Sequence, residues 1–226
     1  MDRRPTGIAP PPAQSLTDLA YLQLEELIVT LRLAPGQVVS ETELSELTGI
    51  GRTPIREALQ RLARERLVTI LPRRGIIVSE INVKRQLRLL EVRRELERLI
   101  ARTAARRATD DERARFKELA RDFEKSARTD DDVTFMRTDR EFNDLCSAAS
   151  HNEFAAGAMS LMHSLSRRFW YIHYRQAADM PLTAKLHADI ARAIAAGDED
   201  GAAAATDKLL DAIEAFTRNT VLTNDS

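Results

Sequence analysis

Two sets of side chains in this 226-residue chain have types and spacings that could do chemistry. The first opens the stretch GRTPIREALQRLARERLV, residues 51–68, with Arg52, Thr53 and Arg56 at the start of an expected amphipathic helix. Free N–H groups at a helix start bind phosphate, and guanidinium groups match guanine edges in a DNA major groove. Ile55, Ala58, Leu59 and Leu62 recur at helical spacing and make one face, while Thr53, Arg56, Gln60 and Arg64 make the opposite one. Thr53 is expected to cap this helix. Pro54 fits its first turn, where a missing N–H costs nothing.

The second set consists of polar residues set in apolar stripes. On an expected helix over 131–149, Asp139 falls among Phe135, Phe142, Cys146 and Ala149, and Asn143 lies one turn further on. On a helix over 182–196, His187 sits at the edge of a face made by Leu182, Leu186, Ile190 and Ile194. A buried carboxylate is costly unless it is paired or bound to a cation. Asp, Asn and His projecting inward from facing helices could hold a metal or a ligand, although a salt-bridged Asp139 and a hydrogen-bonded His187 account for the same pattern. Further candidate anchors are Arg93, His163, Arg167, Trp170, Tyr171 and Tyr174, and helix geometry prevents the last five from all facing inward. An enzyme using Asp139 and His187 as acid and base, or as metal ligands, would need more. The chain has no activated nucleophile, phosphate loop or dense histidine cluster, so it is not read as an enzyme.

The elements that must position the first set follow from local signals. Leu16, Leu19, Leu24, Leu27, Ile28 and Leu31 form the stripe of a supporting helix over 16–31, ahead of Pro35-Gly36. Ser40 and Glu43 have capping-box spacing and open a short helix carrying Leu44 and Leu47. Thr48-Gly49-Ile50-Gly51 is a tight turn into the Thr53 helix, which makes a helix-turn-helix. The β-prone runs 68–71 and 76–78 flank Pro72-Arg73-Arg74-Gly75 as a hairpin, and such a hairpin after a recognition helix is a wing. The formal net charge is −1 overall, yet residues 49–79 carry seven arginines against Glu57 and Glu65, a local +5. A basic patch confined to one module is the footprint of DNA binding.

After Asn82 the strand signals stop. Helical patterns continue to Thr220, with a helix over 82–108, a capping box at Thr109 and Glu112, and breaks near Asp130, at 150–152, at 179–181 and at 197–198. Six helices joined by short loops imply an antiparallel α-bundle without internal repeat. Interleaved Glu91, Glu95 and Glu97 make the basic start of the first bundle helix a salt-bridged linker rather than a DNA contact through Lys84 or Arg85. The fold class is therefore mainly α: a disordered Pro-rich tail (1–14), a winged helix-turn-helix with a small β-hairpin wing (15–79), and an all-helical domain (80–226). Arg3 and Arg4 are read as part of a passive tail rather than a DNA-touching arm. A lone Cys146 excludes an internal disulfide and suits a reducing cytoplasm. No apolar run approaches a membrane span, and the N-terminus lacks a signal-peptide core.

Residues 16–79, including LAPGQVVSETELSELTGIGRTPIREALQRLARERLVTILPRRGIIV, resemble the winged helix-turn-helix of the GntR family of bacterial transcription regulators. The resemblance implies that Arg52, Thr53 and Arg56 contact bases and phosphates, with Gln60 on the same face, and that Arg74 and Gly75 put the wing at the minor groove. Gly51 stands where the family usually has Ser. Arg66 stands where it usually has Gly, at a cost of about 1 kcal/mol if the backbone there is left-handed. DREFNDLCSAASHNEF and LHADIARAIAAGDEDGAAAATDKLLDAI, within residues 87–217, resemble the FCD domain, the effector-binding bundle of the FadR subfamily. Many such domains bind a divalent metal through one Asp and three His. Asp139 and His187 match two of those positions, whereas Asn143 and Leu209 replace the other two histidines. Two ligands and a weak third rarely retain a transition metal, so the reading favours no metal cofactor. A pocket anchored by Arg93, Asp139, Asn143 and His187 can survive without one.

The expected function is a cytoplasmic, homodimeric, ligand-responsive repressor on a pseudo-palindromic double-stranded DNA operator, with a small carboxylate as the suspected effector and no membrane partner. The alternatives are a dimeric DNA-binding protein whose bundle is purely structural, and a metal-dependent helical enzyme.

Overall fold

A computed structural model describes residues 15–129, 132–177 and 179–224, and their side chains except those of 132, 133, 174–177 and 221–224. The expected tail over 1–14, the break at Asp130 and the side chain of Tyr174 lie outside the described residues.

The N-terminal part begins with α1 (Leu16–Val29), whose N-cap Ser15 accepts from the backbone of Asp18. Its buried face is Ala20, Tyr21, Leu24, Leu27 and Ile28, with Glu25 also inside. Leu16 and Leu19 are exposed, and Leu31 lies past the helix at φ 62°, so the expected stripe holds only at its centre. The two-residue strand β1 (Val38–Val39) precedes α2 (Glu41–Thr48). The Ser40–Glu43 capping box is present, and Gly49 closes α2 in the left-handed conformation. Leu44 is buried, but Leu47 is exposed.

Next comes α3 (Arg52–Arg64), which buries Ile55, Ala58, Leu59 and Leu62. Its N-cap is Gly51, with no side-chain cap, which corrects the role expected of Thr53. The helix starts two residues earlier than that role requires, and Thr53 sits inside the first turn. Arg66 follows at φ 62°, the left-handed strain that its replacement of glycine implied. Strands β2 (Val68–Leu71) and β3 (Gly75–Val78) form the hairpin. The sheet order is β1-β3-β2, all antiparallel, with Val39 opposite Ile76 and Ile70 opposite Ile76. The third strand, β1, was not foreseen, because two valines give no periodic signal.

The remaining described helices are α4 (Val83–Arg107), α5 (Asp110–Thr129), α6 (Asp132–Ala149), α7 (Glu153–Ala177), α8 (Met180–Ala196) and α9 (Glu199–Asn224). Asn82 caps α4, and Thr109 and Glu112 form the expected box before α5. Helix α4 lies along α9 and α5 along α8. Their core centres on Phe116, Leu119, Phe123, Phe142, Ala188 and Ile194. Arg113 donates to the carbonyls of Ala105, Ala108 and Ile194, so one guanidinium satisfies the C-terminal ends of both α4 and α8. Helix α7 reaches back to the N-terminal part. It touches α1, and Leu165 packs against the helix-turn-helix core.

Candidate functional site

The outward face of α3 carries Arg52, Thr53, Arg56, Gln60 and Arg64, all exposed. An uncapped helix N-terminus beside these side chains leaves backbone N–H groups free for an anion. Arg56 is held in a fork by Glu41 of α2, with Nε–Oε1 at 2.9 Å and Nη2–Oε2 at 2.7 Å. That hydrogen bond and the charge of Arg56 hold the Glu41 carboxyl below its usual range. Arg61, counted in the basic patch, turns away from this face. It stacks 3.5 Å over the Tyr21 ring and pairs with Glu65 at 3.2 Å. At the hairpin, Arg73 (φ 63°) and Arg74 are exposed. Gly75 has φ 100°, and a Cβ there would come 2.9 Å from the Val39 carbonyl. The close approach of β1 therefore accounts for this glycine without any ligand.

The second set meets in a cavity of about 840 Å³, within the size range of small-molecule sites. Its walls come from α4, α6, α7, α8 and α9, and also from Asp18, Tyr21 and Glu25 of α1 and Arg61 of α3. Arg93, Asp139, Asn143, His187 and Leu209 all line it. The expected edge position of His187 is corrected. It is 6% exposed at the centre of the buried face of α8, stacked on Phe123 at 5.0 Å with the Phe135 and Phe142 rings edge-on. The buried face is set by Ala184, Ala188 and Ala191 together with Ile190 and Ile194, and Leu182 turns outward. His163, Arg167 and Trp170 of α7 reach the cavity, at one-turn spacing. Tyr171 is half-buried elsewhere.

His187 Nε2 lies 3.1 Å from Asp139 Oδ1, and its Nδ1 lies 2.8 Å from the Thr183 carbonyl. Burial opposes ionisation of Asp139. The His187 hydrogen bond and the charges of His187, Arg167 and His163 outweigh it and hold the carboxyl below its usual range. Asn143 Nδ2 donates to the Asp139 carbonyl (2.8 Å) and to its Oδ1 (3.2 Å). Burial, and then the charge of Arg93, lower the pKa of His163. Burial pushes the Cys146 thiol well up. Arg93 is committed to Glu97 at 2.5 Å.

This donor set does not fit a divalent metal. Asn143 turns its amide nitrogen, not its oxygen, to the Asp139 carboxylate, and Leu209 supplies no donor. Among the described residues no group of three or more His, Cys, Asp or Glu could hold an ion. His187 fills the position beside Asp139 with a hydrogen bond instead.

One contact between two residues that line the cavity was not anticipated. Glu25 of α1, 2% exposed, accepts from Arg167 Nη1 of α7 at 2.7 Å. One turn earlier Tyr21 donates to Glu65 Oε2 at 2.9 Å, and burial beside Glu65 pushes the phenol up to about 12. An acid inside the apolar face of the first helix was the one available signal. Arg168 is also buried, 1% exposed, with Nε and Nη2 lacking partners, and burial lowers its pKa to about 10.

Comparison with known families assigns both halves. The model of "Bacterial regulatory proteins, gntR family" matches residues 16–78, and that of the FCD domain matches 88–212. The chain is a GntR-family regulator with an FCD domain. This combination places it in the FadR-like subfamily, a DNA-binding transcription regulator and not an enzyme. The Nta operon transcriptional regulator of Aminobacter aminovorans is 28% identical over 181 residues, 79% of this chain and 83% of that protein. The HTH-type transcriptional repressor RspR of Escherichia coli K12 is 25% identical over 189 residues, 84% of this chain and 83% of the relative. The structure of E. coli McbR/YncC superposes with a TM-score of 0.79 at 20% identity, covering 92% of this chain and 99% of that one, so the regulator shares its fold. No described helix of the regulator is long and apolar enough to cross a membrane.

Proposed function

We propose that this regulator binds a pseudo-palindromic operator as a homodimer, through residues 15–79, and represses until a small organic acid enters the cavity of its helical part, residues 80–226. The observation that carries this reading is the cavity of about 840 Å³, whose wall includes both bundle helices and α1. A ligand there touches the support of the recognition helix directly. It can shift the DNA-binding part only if it binds one arrangement better than the other. Arg52, Thr53, Gln60 and the wing residue Arg74 meet DNA in this scheme, with Arg56 leaving Glu41 for the operator. Asp139, Asn143, His187 and Arg93 line the effector's seat, without a metal. Repression draws support from the relative named a repressor. Dimerisation draws support from Val92 and Leu99, two exposed apolar residues seven apart on α4, a face suited to a second copy.

The test is a thermal-shift screen of small carboxylates with and without chelator, followed by operator release in a gel shift. A stabilising acid that survives chelation and releases DNA supports the reading. An absence of any shift across a broad panel favours a structural bundle. Arg52→Ala is expected to weaken operator binding by about 1–3 kcal/mol and to relax base preference, and unchanged titration would refute its role.

A further inference from the structure

We infer that Arg167 is the anion-binding residue of the cavity, and that a ligand carboxylate takes it in competition with Glu25 of the DNA-binding part. The inference rests on the reading of the cavity as an effector site.

Four arginines line the cavity: Arg93 is occupied by Glu97 and Arg61 by Glu65 and the Tyr21 ring, while Arg140 has no ion pair among the described residues and so no such link to the DNA-binding part. Arg167 differs. Its Nη1 holds Glu25 Oε1 at 2.7 Å, while its Nε and the second Glu25 oxygen are both buried without a hydrogen-bond partner. The fork is half used on each side, although guanidinium and carboxylate suit a two-point match. A carboxylate entering from the cavity can offer Arg167 that match. His163, one turn earlier on α7, and Trp170, one turn later, line the same wall.

The consequence falls on α1. Without Arg167, Glu25 is a carboxylate at 2% exposure with no cation beside it. Its charge already bears on the buried Glu65, raising that carboxyl's pKa after the larger effect of burial itself. A buried charge stripped of its partner is strongly unfavourable, so Glu25 must reach water. It can do so only if α1 moves away from α7. Because α1 packs along α3, and Glu65 is the C-cap residue of α3, that movement carries the recognition helix with it. The ion pair is therefore a latch between the two parts, and the ligand's anionic group opens it.

The test uses the full chain and its single tryptophan, Trp170, as the reporter. Wild type, Glu25→Gln, Arg167→Gln and Arg167→Lys are titrated by fluorescence with acetate, benzoate, succinate and citrate. Amide exchange in α1 and α7 is measured without any added acid. Glu25→Gln is expected to bind at least one of these acids about tenfold tighter than wild type, since its guanidinium is free. Arg167→Gln should lose that binding. Arg167→Lys, which keeps the charge and guards against a folding defect, should bind weakly while α1 stays protected. Glu25→Gln should also exchange its α1 amides faster than wild type. If an acid binds all four proteins equally, the cavity takes ligands but Arg167 is not its anion site, and the latch falls while the effector reading stands. If no acid binds even Glu25→Gln, the carboxylate class is overturned. Unchanged α1 exchange in Glu25→Gln overturns the latch irrespective of ligand.

Discussion

Two neighbouring arginines on α7 face opposite energetic situations. Arg167 neutralises a buried acid, whereas Arg168 is 1% exposed with two nitrogens unpartnered. Removing one partner of a buried pair strands the other, so Arg167→Met is expected to cost about 3–5 kcal/mol in urea unfolding. Arg168 buries two nitrogens without hydrogen-bond partners, and the charge of Glu80 offsets only part of the effect of burial, so much of its desolvation cost stands. Arg168→Met is therefore expected to be neutral or to stabilise by about 1–4 kcal/mol in the same measurement. A loss comparable to that of Arg167→Met would show that Arg168 has a partner in solution. The sequence pointed to Arg167 only as one of several possible anchors and gave no sign of Arg168. Consecutive helix positions point about 100° apart, and which of them meets a second element depends on a docking 142 residues away in sequence.

At the scale of elements, the legible features were local ones. The capping boxes at Ser40–Glu43 and Thr109–Glu112 need only three-residue spacing, and both are present. The wing hairpin and the six bundle helices were likewise readable from turns and periodicity. Strand β1 was not, because it exists only by pairing with β3, and the centring of His187 was not, because alanines rather than the larger apolar residues define the buried face of α8 there. Backbone conformation at two positions can be checked directly. Arg66 sits at φ 62°, where glycine is favoured, so Arg66→Gly should stabilise by about 1 kcal/mol. Gly75→Ala should cost more than about 1 kcal/mol, because its Cβ would meet the Val39 carbonyl at a residue with φ 100°. Chemical denaturation reads both, and a neutral Gly75→Ala would mean that β1 yields.

For the whole molecule, pH and accessibility are the informative variables. His163 is half-buried and His173 buried, and burial lowers both from their ordinary value of 6.5. Between that value and the lower folded ones, the unfolded chain binds more protons, so stability rises with pH. Their contribution is complete above 6.5 and drains away as pH falls through the folded values. Melting temperature should therefore begin to drop as pH falls below 6.5, and His163→Gln with His173→Gln should flatten that slope. Asp139, lowered from 3.8, adds a further loss at still lower pH. Cys146 makes the interior readable in another way. It lines the cavity at 7% exposure, and burial suppresses its thiolate, the form that alkylating reagents attack. A maleimide must therefore wait for the bundle to breathe, and the labelling half-life becomes a clock for that event. A small molecule seated in the cavity should slow the clock, while one bound at the outer surface should leave it running.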